Sequence, residues 1–316
     1  MTELDIVLPH TFSRENAEIL REALLDVDGA TITAAVTPSE TLRAFETADV
    51  AIARWLRPAW LERADRLRWV QAISAGVDHY DLDALEERGV VLTSATGVHA
   101  QPIAEQVLGY LLAFERDLLL ARDQQTDGIW RQYTGGELAT KTVGIVGLGA
   151  IGGRVAELAG AVGSTVIGTK RDPSDAPDAV DEVFPASELE TVLARSAYVV
   201  VACPLTEDTR ELISWAELET MPSDAVLVNV ARGDVVYEKA LVRALQQDWI
   251  AGAALDVFED EPLPAESPLW DLPNVLVTPH VAGSTPRYYE RVAGIFLENL
   301  DAFLTGDLNG MRNRIV

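Results

Sequence analysis

The feature that most constrains this chain is a short apolar run opening into three spaced glycines. It reads Val143-Gly144-Ile145-Val146-Gly147-Leu148-Gly149-Ala150-Ile151-Gly152. A strand, a tight turn and a helix fit that order. Gly147 permits the turn, Gly149 lets backbone approach an anion, and Gly152 lets the helix pack against the strand. The first helical amides then face a phosphate. Alone, G-x-G-x-x-G is a weak signal that flavoproteins and methyltransferases share. The strand before it and the helix after it make it a dinucleotide-binding turn.

The stretch around this turn repeats the alternation. Thr142–Val146, Thr165–Thr169, Tyr198–Ala202, Ala225–Asn229, Ala251–Leu255 and Val275–Thr278 read as six strands separated by helical or loop segments. That number fits a doubly wound parallel sheet. Upstream, Asp5–Leu8 reads as a strand and Ser13–Leu25 as a helix capped by Ser13. Ala48–Ala53 is an apolar run, Pro58–Ala64 a short helix, Trp69–Ile73 a strand, Asp81–Arg88 a helix and Val90–Thr93 a strand. This is the pattern of a second, smaller βα domain. A long helix is expected over His99–Ala121, then a polar stretch over Asp127–Glu137, and a final amphipathic helix over Pro286–Leu304. A chain of 316 residues holds two domains at roughly 150 residues each.

Charge excludes some functions. Fifty acidic residues face 25 basic ones, a net charge of -25, and the only lysines are Lys141, Lys170 and Lys239. Nucleic-acid binding needs a basic face, which this composition does not offer. The acids are dispersed among regular apolar periods, so disorder is not implied. Such a lysine-poor acidic surface resembles that of cytosolic proteins from salt-accumulating halophiles. At molar salt the Debye length is ~3 Å and self-repulsion is screened. Stability is therefore expected to fall at low salt. No apolar run approaches the ~20 residues of a membrane span. The N-terminus is acidic and unlike a signal peptide, so a cytoplasmic protein is expected. Cys203 is the only cysteine, which rules out an intramolecular disulfide. The histidines at 10, 79, 99 and 280 lack zinc-site spacing, and no metal is expected.

The residue ending the second strand of the glycine unit separates the two nicotinamide cofactors. An acid there bonds a ribose hydroxyl, whereas a cation accommodates a 2′-phosphate. The chain reads Ile167-Gly168-Thr169-Lys170-Arg171-Asp172. Lys170 and Arg171 favour NADP(H), with NAD(H) possible; Asp172 lies just beyond the acidic position.

Three later segments end strands on the carboxyl side, where open α/β sheets bind ligands. They supply Arg232, Glu261 and His280. Reduction of a 2-oxo acid needs a cation that holds the carboxylate and polarises the ketone, and the planar fork of Arg232 suits both tasks. It needs a general acid, for which His280 is the suitable type. It also needs a carboxylate to orient that histidine, and Glu261 fits. Each residue alone reads as readily as a surface ion pair, a solvated acidic run or a satisfied loop histidine.

The joint pattern resembles the D-isomer-specific 2-hydroxyacid dehydrogenase family. The matching motifs are the glycine turn, Asn229-Val230-Ala231-Arg232-Gly233-Asp234, Leu255-Asp256-Val257-Phe258-x-x-Glu261-Pro262-Leu263-Pro264 and Thr278-Pro279-His280-x-Ala282-Gly283. With Ser74-Ala75-Gly76-Val77-Asp78 and the last helix, the resemblance spans nearly the whole chain.

It implies an α/β fold of two domains, in which a Rossmann-type doubly wound dinucleotide domain (99–286) is inserted into a smaller flavodoxin-like βα substrate domain (1–98 plus 287–316). It implies that Arg232 binds substrate, that His280 is the acid/base and that Glu261 is its partner. By resemblance, Ala150 and Ile151 lie along the pyrophosphate and Asp256 contacts the nicotinamide amide. Cys203, Pro204, Thr209 and Val230 line the adenosine and nicotinamide pockets, and Gly283 belongs to the cofactor set. The amides of Ala75, Gly76 and Val77 hold the substrate carboxylate in a nest. For Cys203 a small buried apolar role reads better than thiol chemistry. The family also implies a homodimer joined through helix 99–122 and the arm around Trp130. The expected reaction is NADP(H)-preferring reduction of a 2-oxo acid to a D-2-hydroxy acid. Alternatives are a glyoxylate/hydroxypyruvate reductase, more remotely a phosphoglycerate dehydrogenase, and, from other classes, a non-catalytic dinucleotide-sensing corepressor or a methyltransferase. Trp55, Leu56 and Tyr288 hint at a roomy apolar substrate pocket.

Overall fold

The computed structural model describes residues 4–25 and 27–316. The chain divides into two compact units, one of residues 1–98 with 285–316 and one of residues 99–284.

In the first unit the order is β1 (Leu4–Leu8), α1 (Arg14–Ala23), β2 (Ala30–Ala34), α2 (Pro38–Phe45), β3 (Val50–Ala53), α3 (Pro58–Leu61), β4 (Trp69–Ala72), α4 (Leu82–Glu87) and β5 (Val91–Thr93). The terminal helix (Tyr288–Thr305) completes it. All strands run parallel in the order β2-β1-β3-β4-β5, the flavodoxin-like arrangement. Ser13 caps α1 as expected, its hydroxyl accepting from the Asn16 amide at 3.2 Å. Ile6, Ile52 and Trp69 point to a face covered by α1 and the terminal helix, and Val7, Ala51 and Val70 to the other. Trp69 stacks on Phe296 of the terminal helix, with ring centroids 4.5 Å apart and planes within 1°.

Two elements of this unit are missing from the sequence reading. The edge strand β2 is Ala-Thr-Ile-Thr-Ala, half exposed and too small in its alternation to register. The following helix α2 is capped by Thr37 and opens on Pro38, both helix-start signals.

The second unit begins with α5 (Ala100–Glu115) and α6 (Leu118–Asp127). It continues as β6 (Thr142–Val146), α7 (Ala150–Ala161), β7 (Thr165–Lys170), β8 (Glu182–Pro185), α8 (Leu189–Arg195), β9 (Tyr198–Val201), α9 (Trp215–Thr220), β10 (Val226–Asn229), α10 (Glu238–Gln246), β11 (Gly252–Leu255) and β12 (Val275–Val277). Its sheet order is β12-β11-β10-β9-β6-β7-β8, all parallel. The central strands are buried on both faces. Val199, Val201 and Leu227 join one core, while Tyr198, Val200 and Val228 join the other. This is why those strands read as unbroken apolar runs.

Two expectations are corrected here. The sheet has seven strands, not six. The added β8, Glu-Val-Phe-Pro, is a half-buried edge strand that begins on an acid and ends on proline. The single helix expected over 99–122 is two helices. Asp117 sits at φ 51° between them. The Glu115 carbonyl, which a continuing helix would spend internally, instead accepts from the Gly136 amide at 2.8 Å. The Arg116 guanidinium holds the Gly136 carbonyl at 2.6 Å. The apolar period runs through the break, so periodicity does not reveal it.

Candidate active site

The glycine turn leaves β6 and starts α7. Gly147 has φ +99°, and a Cβ there would meet the Cys203 backbone at 2.7 Å. A Cβ on Gly152 would lie 2.1 Å from the Gly147 carbonyl oxygen. Neither glycine can carry a side chain without moving backbone. Gly149 differs: nothing lies within 4 Å of its would-be Cβ. Its lack of a side chain therefore serves no internal packing and leaves open space beside the amides of Ala150 and Ile151 at the start of α7. Those amides have no intrahelical partner by position, so the turn fits a pyrophosphate on observation as well as on pattern.

Of the other residues expected to meet a dinucleotide, Cys203 packs against Gly147. Val230 and Cys203 are buried. Burial pushes the Cys203 thiol up, so it stays neutral. The Thr209 hydroxyl is occupied locally, donating to the Pro204 carbonyl at 2.6 Å and accepting from the Thr206 amide at 2.8 Å. β7 ends on Lys170. Its ammonium donates to the Asp175 carboxylate at 2.8 Å, and Arg171 beside it is exposed. Asp172 caps the next turn, accepting from the Ser174 hydroxyl at 2.6 Å and the Ser174 amide at 3.0 Å. These bonds, the hydroxyl first, hold its carboxyl below the usual range.

Arg232, Glu261 and His280 follow three adjacent parallel strands, β10, β11 and β12. Buried Asn229 shapes the Arg232 turn: its Nδ2 donates to the Arg232 carbonyl at 3.0 Å, and its Oδ1 accepts from the Ala231 amide at 3.1 Å. The exposed Arg232 guanidinium donates to the Ala231 carbonyl at 2.6 Å. A Cβ on Gly233 would fall 1.9 Å from the Phe258 backbone, so this glycine brings the turns after β10 and β11 together.

Glu261 Oε2 lies 2.7 Å from His280 Nδ1, and Oε1 accepts from the Phe258 amide at 3.2 Å. Partial burial pushes the Glu261 carboxyl up. The hydrogen bonds from His280 and Phe258 and the charges of His280 and Arg232 outweigh it and hold the group below its ordinary value. A carboxylate can only accept, so Nδ1 carries a proton and Nε2 is left as the outward-facing nitrogen. His280 itself is a non-glycine residue at φ 52°.

Asp256 is buried. Its Oδ1 accepts from the Thr278 hydroxyl at 2.5 Å and the Val281 amide at 2.9 Å, and Oδ2 accepts from the Ala282 amide at 2.9 Å. The resemblance implies a nicotinamide contact for this residue; the structure engages both its oxygens with the His280 turn. Gly283 approaches His99, whose Nδ1 donates to the Gly283 carbonyl at 3.1 Å. Tyr110, whose hydroxyl meets that of Thr278 at 2.5 Å, was missed by sequence reasoning, and Thr278 entered it only as part of a motif.

In the first unit, Ala75 and Gly76 lie exposed on the loop after β4. The Ser74 hydroxyl holds the Gly76 carbonyl at 2.7 Å, with Val77 half-buried at its end. The Tyr288 hydroxyl donates to the Ile73 carbonyl at the start of this loop. Leu56 instead lines a cavity with Leu61, Ala84 and Leu85.

Comparison with known proteins agrees with this geometry. Residues 108–282 match the family described as D-isomer specific 2-hydroxyacid dehydrogenase, NAD binding domain. The chain is 37% identical over 254 residues to a glyoxylate reductase of Thermofilum pendens, covering 78% of this chain and 75% of that protein. It is also 37% identical over 256 residues to glyoxylate/hydroxypyruvate reductase B of Yersinia enterocolitica, covering 78% of each. The D-isomer specific 2-hydroxyacid dehydrogenase of Xanthobacter autotrophicus Py2, solved with NADPH and MES, has a TM-score of 0.76 at 30% identity, covering 100% of this chain and 98% of that one. The chain belongs to the D-isomer specific 2-hydroxyacid dehydrogenase family, NAD(P)-dependent oxidoreductases that act on 2-hydroxy acids.

Proposed function

We propose that the protein is an NADPH-preferring reductase of 2-oxo acids that forms D-2-hydroxy acids, with Arg232, Glu261 and His280 as its catalytic residues. The observation that carries this reading is the 2.7 Å pair between His280 Nδ1 and Glu261 Oε2, one strand from Arg232. When bound on the glycine turn, the reduced nicotinamide dinucleotide supplies a hydride to the substrate's C2. Arg232 holds the carboxylate and polarises the ketone oxygen. His280 gives the proton on Nε2 to the developing alkoxide, and Glu261 fixes the ring and offsets its charge. Residues 1–98 with the terminal helix bind substrate, using the amides of Ala75, Gly76 and Val77 as an anion nest. Residues 99–284 bind dinucleotide.

Lys170 and Arg171 support the preference for NADPH. Lys170 ends β7, where a ribose 2′ substituent arrives, and Asp172 is committed to its own turn. The names of the two relatives favour glyoxylate and hydroxypyruvate as the substrates. One panel tests both: NADPH against NADH, with glyoxylate, hydroxypyruvate and 2-oxo acids of increasing length. Turnover with none of them, or a clear NADH preference, overturns the corresponding statement.

Two further expectations belong to the same reading. The exposed apolar residues Leu118, Leu120, Ile129 and Trp130 support a homodimer formed through the second unit. A monomer by light scattering at micromolar concentration contradicts it. The net charge of -25 supports a halophilic protein. Its melting temperature then rises from low to molar salt, and a flat response contradicts it.

A further inference from the structure

We propose that Tyr110 of α5 is a positioning residue for His280, acting through Thr278 and Asp256. The proposal rests on the reading of His280 as the proton donor.

The His280 turn needs holding. Its φ of 52° lies in the left-handed region, which side chains other than glycine rarely adopt. Its own amide lies 2.9 Å from the Asp256 carbonyl and 3.0 Å from the Thr278 carbonyl. Asp256 Oδ1 accepts from both sides of the histidine, from the Thr278 hydroxyl before it and the Val281 amide after it. Those two bonds fix the span of the turn across His280, and Oδ2 extends the brace to the Ala282 amide.

The outer end of the brace is Tyr110. A threonine hydroxyl has one proton, and here it goes to Asp256. The 2.5 Å contact between the Tyr110 and Thr278 hydroxyls therefore has tyrosine as donor. Burial, the largest influence on Tyr110, holds its proton more tightly than usual, against the opposite pull of hydrogen bonds with the Thr278 and Gln106 side chains, so the phenol keeps its proton. Tyr110 is 2% exposed, so no water replaces the bond readily. A chain of donors thus runs from α5 into the catalytic turn: Tyr110 to Thr278, then Thr278 to Asp256. Each bond orients and polarises the next. Tyr110 touches no reacting atom; it sets the Thr278 hydroxyl, and through Asp256 the placement of the imidazole.

Tyr110→Phe keeps the ring and removes only the donor. The expected result is a fall in kcat of about three- to tenfold, the range set by the net strength of one hydrogen bond. KM and the dissociation constant for NADPH, read by nicotinamide fluorescence, should stay within about twofold. Thr278→Val should show the same split, and the double variant should be no slower than the slower single one, because the two act in series. A wild-type kcat for Tyr110→Phe overturns the proposal. So do multiplicative losses in the double variant, or a loss confined to NADPH affinity. His280→Ala separates this proposal from the reading beneath it. If His280→Ala keeps turnover, the catalytic assignment fails. If it is inactive while Tyr110→Phe is normal, only the positioning role falls.

Discussion

The two turns of the candidate site are held in opposite ways. The glycine turn after β6 is shaped by missing side chains: Gly147 and Gly152 sit where any Cβ would strike backbone. The His280 turn after β12 is shaped by added hydrogen bonds, with the Asp256 carboxylate bracing both sides of a left-handed histidine. Sterics set the first and buried polar contacts set the second. A steric device tolerates little substitution but needs no distant partner. A polar device can be tuned, and it depends on residues far away in the chain.

The largest effects should come from the polar turn and from Arg232 after β10. His280→Ala and Arg232→Ala are each expected to lower kcat/KM by about 10²–10⁴-fold while NADPH still binds. Near-normal turnover in steady-state assays would remove that variant's residue from the mechanism. The next effect tests the steric turn. Gly152→Ala should destabilise by about 1–3 kcal/mol, seen as a melting point lowered by roughly 2–12 °C. Gly149→Ala should leave melting unchanged and weaken NADPH binding on the order of tenfold, because its open side faces the proposed pyrophosphate. If both glycine variants behave alike, the division between packing and ligand approach is wrong.

A smaller effect concerns pH. The folded carboxyl of Glu261 titrates below its ordinary 4.5, so the pair with His280 is favoured above that value and lost as pH falls through the lower, folded one. The rate advantage of wild type over Glu261→Gln should therefore survive at pH 4.5 and be lost only below it. An advantage already gone at pH 4.5 contradicts the lowered value. The smallest expected effect is at Cys203, which packs beside Gly147 with 8% exposure and a raised thiol pKa. Iodoacetamide at neutral pH should label it only after unfolding; ready labelling of the folded protein would break the picture of a closed steric turn.

The same contrast explains what the sequence revealed. Gly147, Gly149 and Gly152 were legible because their spacing is local and the reason for it is geometric. Arg232, Glu261 and His280 were singled out because each ends a strand within its own short motif, and their joint pattern carries the roles proposed above. Tyr110 was not: its partner Thr278 lies 168 residues away, and a tyrosine on an apolar helix face reads as core. For Asp256 the resemblance implied a cofactor contact, whereas its bonds to the 278–282 segment were not legible, since nothing local tells where its oxygens turn. In the fold, β2 and β8 escaped because their partly exposed residues, interleaved with threonines or flanked by an acid and a proline, carry weak patterns. The break at Asp117 escaped because its cause, the Gly136 amide on the Glu115 carbonyl, comes from a later segment.

The insertion of residues 99–284 into the first unit has a consequence for synthesis. Trp69 finds its stacking partner only when Phe296 is made. At about 5–20 residues per second, a ribosome needs roughly 10–45 s to cover that interval. Throughout it, one apolar face of the first sheet has α1 but lacks the terminal helix that completes its cover, while the inserted unit emerges as one continuous segment. The unit whose synthesis begins first is thus completed last.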